Sequence, residues 1–215
     1  QGRHVMGLSF EQIKTAYEQE VAHAGKIYNR EEIPLEWDLI TPEWLTDILI
    51  GSDKAEKVVA YRLDSKDEGT ASRRRIFLEY NDAGRAANLP ATVFGKSTQH
   101  LENRFIIGMN GGIEAEVTFF QKVRPTLDIE APVCLHARFN PRSLNSIVIM
   151  RDIASQVEFC NYSTPMTLEL ARLGITLPST SAGPDSARYA TAVPIAVIAD
   201  TRNGTRQPQS LKSAT

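Results

Sequence analysis

The sequence predicts an α+β fold: a mostly antiparallel sheet of about five strands carrying one packed helix, preceded by two helices and followed by a disordered tail. Three observations carry this reading. Up to residue 51, apolar residues recur at helical spacing. From Val58 to about residue 154, short apolar or alternating runs are separated by turn residues, with one helical stretch among them. Beyond about Leu173 the chain is crowded with Ser, Thr, Ala, Pro and Gly and lacks Phe and Trp, a composition that rarely builds a core. The implied organisation is a helical lead-in over 8–51, a sheet domain over 52–170 and a low-complexity tail over 171–215.

The first helix lies in "SFEQIKTAYEQEVAHAG". Ser9 is its N-cap, Gly25 its stop, and Phe10, Ile13, Ala16, Tyr17, Val21 and Ala24 its apolar face. The second is "TPEWLTDILIG", capped by Thr41, with Pro42 at the first helical position and Gly51 at the end. Trp37 and Trp44 read as anchors of this lead-in. "KVVAYRLDS" and "RRRIFLEYN" then form a hairpin across the small-residue turn "KDEGTASR", in which Arg73 to Arg75 read as strand residues with alternate arginines exposed. "DAGRAANLP" is a loop and "ATVFGKST" a third strand. "GGIEAEVTFFQKVRPTL" is a helix opened by glycines, with Ile113, Val117, Phe120 and Val123 on one face. Two strands, "APVCLHARFN" and "LNSIVIMRDIA", close the domain across the turn "NPRS". His136 reads as an ordinary strand histidine, and Phe159 and Cys160 as packing residues beyond the last strand.

Bulk properties narrow the function. The 215 residues are 42% hydrophobic and 23% charged, with a net charge of −2. That balance gives no electrostatic footprint for nucleic acid. No apolar run approaches the roughly 18 residues of a membrane span, and no signal peptide is read, so the expected setting is cytoplasmic. The two cysteines, Cys134 and Cys160, make neither a disulfide framework nor a metal-ligand spacing and are expected to be reduced thiols. No metal ligands are assigned.

The order of elements in the middle of the chain has a chemical meaning. A small-residue turn between two strands can cover phosphates with its backbone N–H groups. A lysine on the third strand can pair with the same phosphates, and a glutamate on the following helix can hold that lysine still. Here the turn is Gly69-Thr70-Ala71-Ser72, with Thr70 and Ser72 adding hydroxyl donors; the lysine is Lys96 and the glutamate Glu116. Glu114 competes for the last role, but Glu116 directly precedes Val117 and the aromatic pair Phe119-Phe120.

Several stretches carry a family likeness. "ITPEWLTDIL", "EGTASRRRIFLEY", "PATVFGKST", "EAEVTFFQKV" and "SIVIMRDIAS" resemble, in that order, the lead-in helix, phosphate loop, lysine strand, helix signature and hinge strand of small-molecule kinases with the protein-kinase-like fold. The nearest resemblance is to aminoglycoside phosphotransferase-like, choline-kinase-like and ecdysteroid-kinase-like proteins. It spans about Thr41 to Thr167 and implies an N-terminal lobe that binds ATP. In that lobe Lys96 would contact the α/β-phosphates, Glu116 would orient it, Gly69 to Ser72 would cover the phosphates, and backbone groups from Met150 to Ile153, among them Asp152, would hold the adenine. The acceptor would be a small hydroxyl-bearing molecule. Arg151 departs from the family, which often has an acidic residue there.

A second departure is an absence. The family's catalytic loop reads H-x-D-x-x-x-x-N and is followed by a metal-binding aspartate that holds Mg²⁺. The residues two positions after His4, His23, His100 and His136 are Met6, Gly25, Glu102 and Arg138. Asp200, ending "VIAD", has no catalytic loop before it. The expectation is therefore a truncated phosphotransferase that carries the nucleotide lobe without catalytic or metal-binding residues and is inactive alone. The alternative is a non-catalytic binding or scaffold module derived from such a fold.

Overall fold

The computed structural model of the chain describes residues 8–127 and 131–155, together with Pro165, Thr167 and Leu168. Phe159, Cys160, Asp200 and the whole of 171–215 lie outside the described residues. The chain divides into two units, one of residues 1–127 with 132–152 and the other of 128–131 with 153–215. The helices and strands described here all belong to the first unit.

That unit is a mixed α+β structure. Helix α1 runs over Phe10–Ala22 and begins with a reciprocal cap: the Gln12 N–H donates to Ser9 Oγ, and the Ser9 N–H donates to Gln12 Oε1. Of the apolar face expected for α1, only Ile13 is buried, while Phe10 and Val21 are nearly half exposed. Ala24 falls beyond the helix, which ends before His23. Helix α2, Pro42–Leu49, starts where Thr41 Oγ1 accepts the Trp44 N–H and donates to the Ile27 carbonyl.

The sheet has six strands rather than the five read from the sequence. They are β1 (Val58–Leu63), β2 (Asp67–Glu68), β3 (Ser72–Tyr80), β4 (Thr92–Ser97), β5 (Cys134–Phe139) and β6 (Ser146–Arg151), all antiparallel, in the order β1-β3-β4-β6-β5. The extra strand is β2. Half of the expected turn folds back onto β3, pairing Asp67 with Arg73 and Glu68 with Ser72. Alternation along β3 sorts the two faces: Ser72, Arg74, Ile76, Leu78 and Tyr80 are buried or nearly so, and Arg73, Arg75 and Phe77 are half-buried.

One face packs under α2 and the turn that carries Trp37. Trp37, Trp44, Ile76, Leu78, Val93, Ile147 and Ile149 form its core. This packing sets the identity of residue 95, because a Cβ on Gly95 would fall 2.5 Å from the Trp37 ring. The bulky indole therefore lies directly on the strand that bears Lys96.

Three stretches differ from the sequence reading. A short helix α3, Asp82–Ala86, replaces part of the expected loop and is capped by the Asn81 side chain, which accepts the Gly84 N–H. Helix α4, Leu101–Asn103, runs into a π-helical turn over Arg104–Gly108, where the sequence suggested no element. The helix expected from Gly111 onward is α-helical only over Gly112–Thr118 (α5), then widens into a π turn over Phe119–Val123 that buries Phe119 and Phe120.

A buried ion pair fixes α1 to this framework. Arg104 is fully buried, and its guanidinium donates to Glu20 Oε2 at 2.6 Å and to the carbonyls of Thr98, Gln99 and Ser143. Glu20 also accepts from Asn140 Nδ2 and Ser143 Oγ. Burial pushes the Arg104 pKa down, and Glu20 opposes that shift. Beside it Leu144, buried with Ile13 and Ile113, holds a left-handed φ of 58° in the β5–β6 turn, kept there by its apolar anchoring and by its N–H, which donates to the Asn140 carbonyl.

Candidate functional site

Lys96 lies on β4, a central strand flanked by β3 and β6. Since Gly95 faces the Trp37 core, Lys96 points to the opposite side of the sheet, where α5 lies. There its Nζ is 2.5 Å from Glu116 Oε1. Both side chains are mostly shielded from solvent, at 21% and 13% exposed, so this is a held lysine and not a solvated one. Glu116 reaches it because α5 buries Ile113 and Val117, leaving the intervening Glu116 on its flank.

The same side of the sheet carries more cations. Arg73 sits directly opposite Lys96 in the β3–β4 register, and Arg75 opposite Phe94. Each has its own acid. Arg73 meets Asp67, Arg75 meets Asp152 at 2.6 Å, and Arg75 also lies 3.5 Å from Asp64. The register continues from Phe94 to Met150 on β6. Half-buried Phe77 and Phe94 and buried Met150 thus make an apolar strip beside the charged row, with the Arg62 guanidinium stacked over Phe77 at 3.9 Å.

The other residues picked out in the sequence are spread over several elements. Gly69 and Thr70 are exposed at the tip between β2 and β3. The Gly69 carbonyl accepts from Asn103 Nδ2, and a Cβ there would lie 3.3 Å from Arg73 Nη2. Ala71 and Ser72 are buried. Ser72 belongs to β3 and not to the turn, and its hydroxyl is engaged: it accepts from Trp37 Nε1 at 2.9 Å and donates to Glu68 Oε1 at 2.8 Å. Glu68 in turn lies 3.5 Å from His100 Nε2. The loop's hydroxyl donor is therefore Thr70 alone. Met150, next to last in β6, is buried, and Asp152, 9% exposed, is turned to Arg75.

Sequence reasoning missed the Arg75–Asp152 contact, which joins residues 77 positions apart. A hint was available: β3 alternation puts Arg73 and Arg75 on the face of Lys96, whereas Arg74, on the other face, donates to the Asp64 carbonyl.

A separate crevice of about 490 Å³ lies along the 23–39 segment, lined among others by His23, Ile33, Leu39 and Asn145. Its charges are satisfied internally, by Arg138 on Glu31 and by the backbone N–H groups of Tyr28 and Asn29 on Glu32. Among the described residues no group of three or more His, Cys, Asp or Glu side chains is placed to hold a metal ion, and no helix is long and apolar enough to cross a membrane. No family model, curated protein or solved structure matches the chain.

Proposed function

We propose that this chain is the nucleotide-binding lobe of an ATP-dependent small-molecule phosphotransferase of the protein-kinase-like fold, and that it binds nucleotide without turning it over. The observation that carries the reading is the Lys96–Glu116 pair. A flexible lysine clamps phosphate poorly until a partner fixes it, and a helix glutamate meeting a strand lysine is the arrangement that does so.

The surroundings fit such a ligand. With its phosphates on Lys96, a nucleotide laid along the face would rest its base on Phe94 and Met150, near the backbone after β6. The Gly69–Thr70 tip, anchored by Asn103, would lie over the phosphates. Ser72 would serve by fixing the loop to Trp37 rather than by touching the ligand. In a complete enzyme of this class an H-x-D-x-x-x-x-N loop would supply the catalytic aspartate and a following aspartate would hold Mg²⁺; this sequence lacks the H-x-D pattern. The acceptor would be a small hydroxyl-bearing molecule.

That lack supports a second reading, a non-catalytic binding or scaffold module. One titration separates the two. ATP is added to the full chain and to Lys96→Met and Glu116→Gln, with binding followed by calorimetry. The nucleotide reading expects measurable binding, reduced at least about tenfold by Lys96→Met and less by Glu116→Gln. A folded wild-type chain that ignores ATP, or one that binds it equally well without Lys96, would sink it.

A further inference from the structure

We propose that Arg73 is a second phosphate contact, so that the polyphosphate of the nucleotide is held between two cations on adjacent strands. This rests on the nucleotide reading above. Arg73 and Lys96 are directly opposed in the β3–β4 register. In the empty sheet each is balanced by its own acid, and an anion set between them would meet both cations at once.

Exposure separates Arg73 from its neighbours. Lys96 is bound to a carboxylate that is 13% exposed, and Arg75 to one that is 9% exposed. Arg73 is 37% exposed and its partner Asp67 61%. A pair that open to solvent holds weakly and yields readily to a phosphate. The pairing is also incomplete. Nη2 donates to Asp67 Oδ1 at 3.0 Å, whereas Nε, though 3.0 Å from Oδ2, is buried and makes no aligned hydrogen bond. A planar guanidinium that leaves a donor unused suits a multi-oxygen anion such as phosphate. Its position under Gly69 puts it at the root of the loop that would cover the phosphates.

The acids nearby bear on how readily Arg73 is released. Asp67, Asp64, Asp152 and Glu116 all line this side. Only Asp67 has to leave for Arg73 to engage, and it sits on the exposed two-residue strand β2. Arg73 lies level with Lys96, one step along the face from Phe94 and Met150 where the base would rest, so the contact is assigned to the phosphates beyond the first and Arg73 distinguishes a nucleoside diphosphate from a monophosphate.

The test is calorimetric titration of the full chain with ADP and with AMP. In wild type the structure calls for ADP to bind about tenfold tighter than AMP. In Arg73→Gln the two affinities converge while AMP is unchanged. In Asp67→Asn, which frees Arg73, ADP binds more tightly and AMP does not. Equal weakening of both ligands by Arg73→Gln would show that Arg73 only props the loop and would overturn the proposal, as would an unchanged ADP-to-AMP ratio in both variants. A folded wild type that binds neither ligand removes the nucleotide reading itself, and this proposal with it.

Discussion

The indole of Trp37 lies against Gly95, the residue next to Lys96, so closely that one added carbon would collide with it. The side chain that caps one face of the sheet thereby fixes the height of the lysine on the other. Gly95→Ala is expected to lose about 1–3 kcal/mol in chemical denaturation, the usual range for overpacking. A variant as stable as wild type would show that Trp37 moves freely and does not position β4.

Glu20 is the counter-charge of a fully buried arginine. Removing it as Glu20→Ala leaves Arg104 charged and uncompensated, at an expected cost of about 3–5 kcal/mol. The double replacement Glu20→Ala with Arg104→Met should recover much of that loss, because it also removes the stranded charge. Urea midpoints of the single and double variants decide the matter. No recovery would mean that the hydrogen bonds of the guanidinium to Thr98, Gln99 and Ser143 dominate.

His136 gives the fold an acid sensitivity. Burial, with Arg30 and Arg138 nearby, pushes its pKa down to about 4, while Glu31 and Asp47 oppose the shift. The ring therefore stays neutral in the folded chain at pH values where the unfolded chain takes up a proton, below about 6.5. Stability is lost as pH falls from about 6.5 towards 4, by at most about 3 kcal/mol from this residue. The difference in denaturation midpoint between wild type and His136→Leu should change across that window and be flat above pH 7. A difference that does not vary with pH would remove His136 as the cause.

Asp152, 9% exposed, pairs with Arg75 at 2.6 Å. Replacing Arg75 with Met removes this ion pair, and a loss of about 1.5–3 kcal/mol is expected, the range for hydrogen bonds to charged groups. Asp152→Asn should lose less, since the amide oxygen still accepts from Nε. Thermal denaturation of the two variants ranks them, and the reverse order would show that Asp152 is held chiefly by other contacts.

The sequence was most legible where one local rule decides the outcome. Ser9 with Gln12, and Thr41 with Pro42, mark the starts of α1 and α2 as observed. The alternation of β3 and the 20-residue spacing from Lys96 to Glu116 could be read along the chain, and the structure brings that pair together. What failed depended on partners distant in sequence. Arg104 falls where the sequence suggests no element, and nothing marks it as buried until Glu20, 84 residues away, is known to meet it. Ser72 looks like a turn hydroxyl until Trp37 claims it across 35 residues. The strand β2 was missed because two charged residues, Asp67 and Glu68, carry no strand propensity and are ordered by their ladder to β3.

The antiparallel order also sets a timetable for assembly. The hairpin of β3 and β4 closes locally, but the other side of β4 is filled by β6, and Ser97 waits for Ser146, 49 residues later, before its hydroxyl finds the carbonyl it bonds. Until then the lysine strand is a bare sheet edge, with unpaired amides open to any other extended chain. As the chain emerges during synthesis, the segment bearing Lys96 keeps one side open to wrong partners until the arrival of β6 closes it.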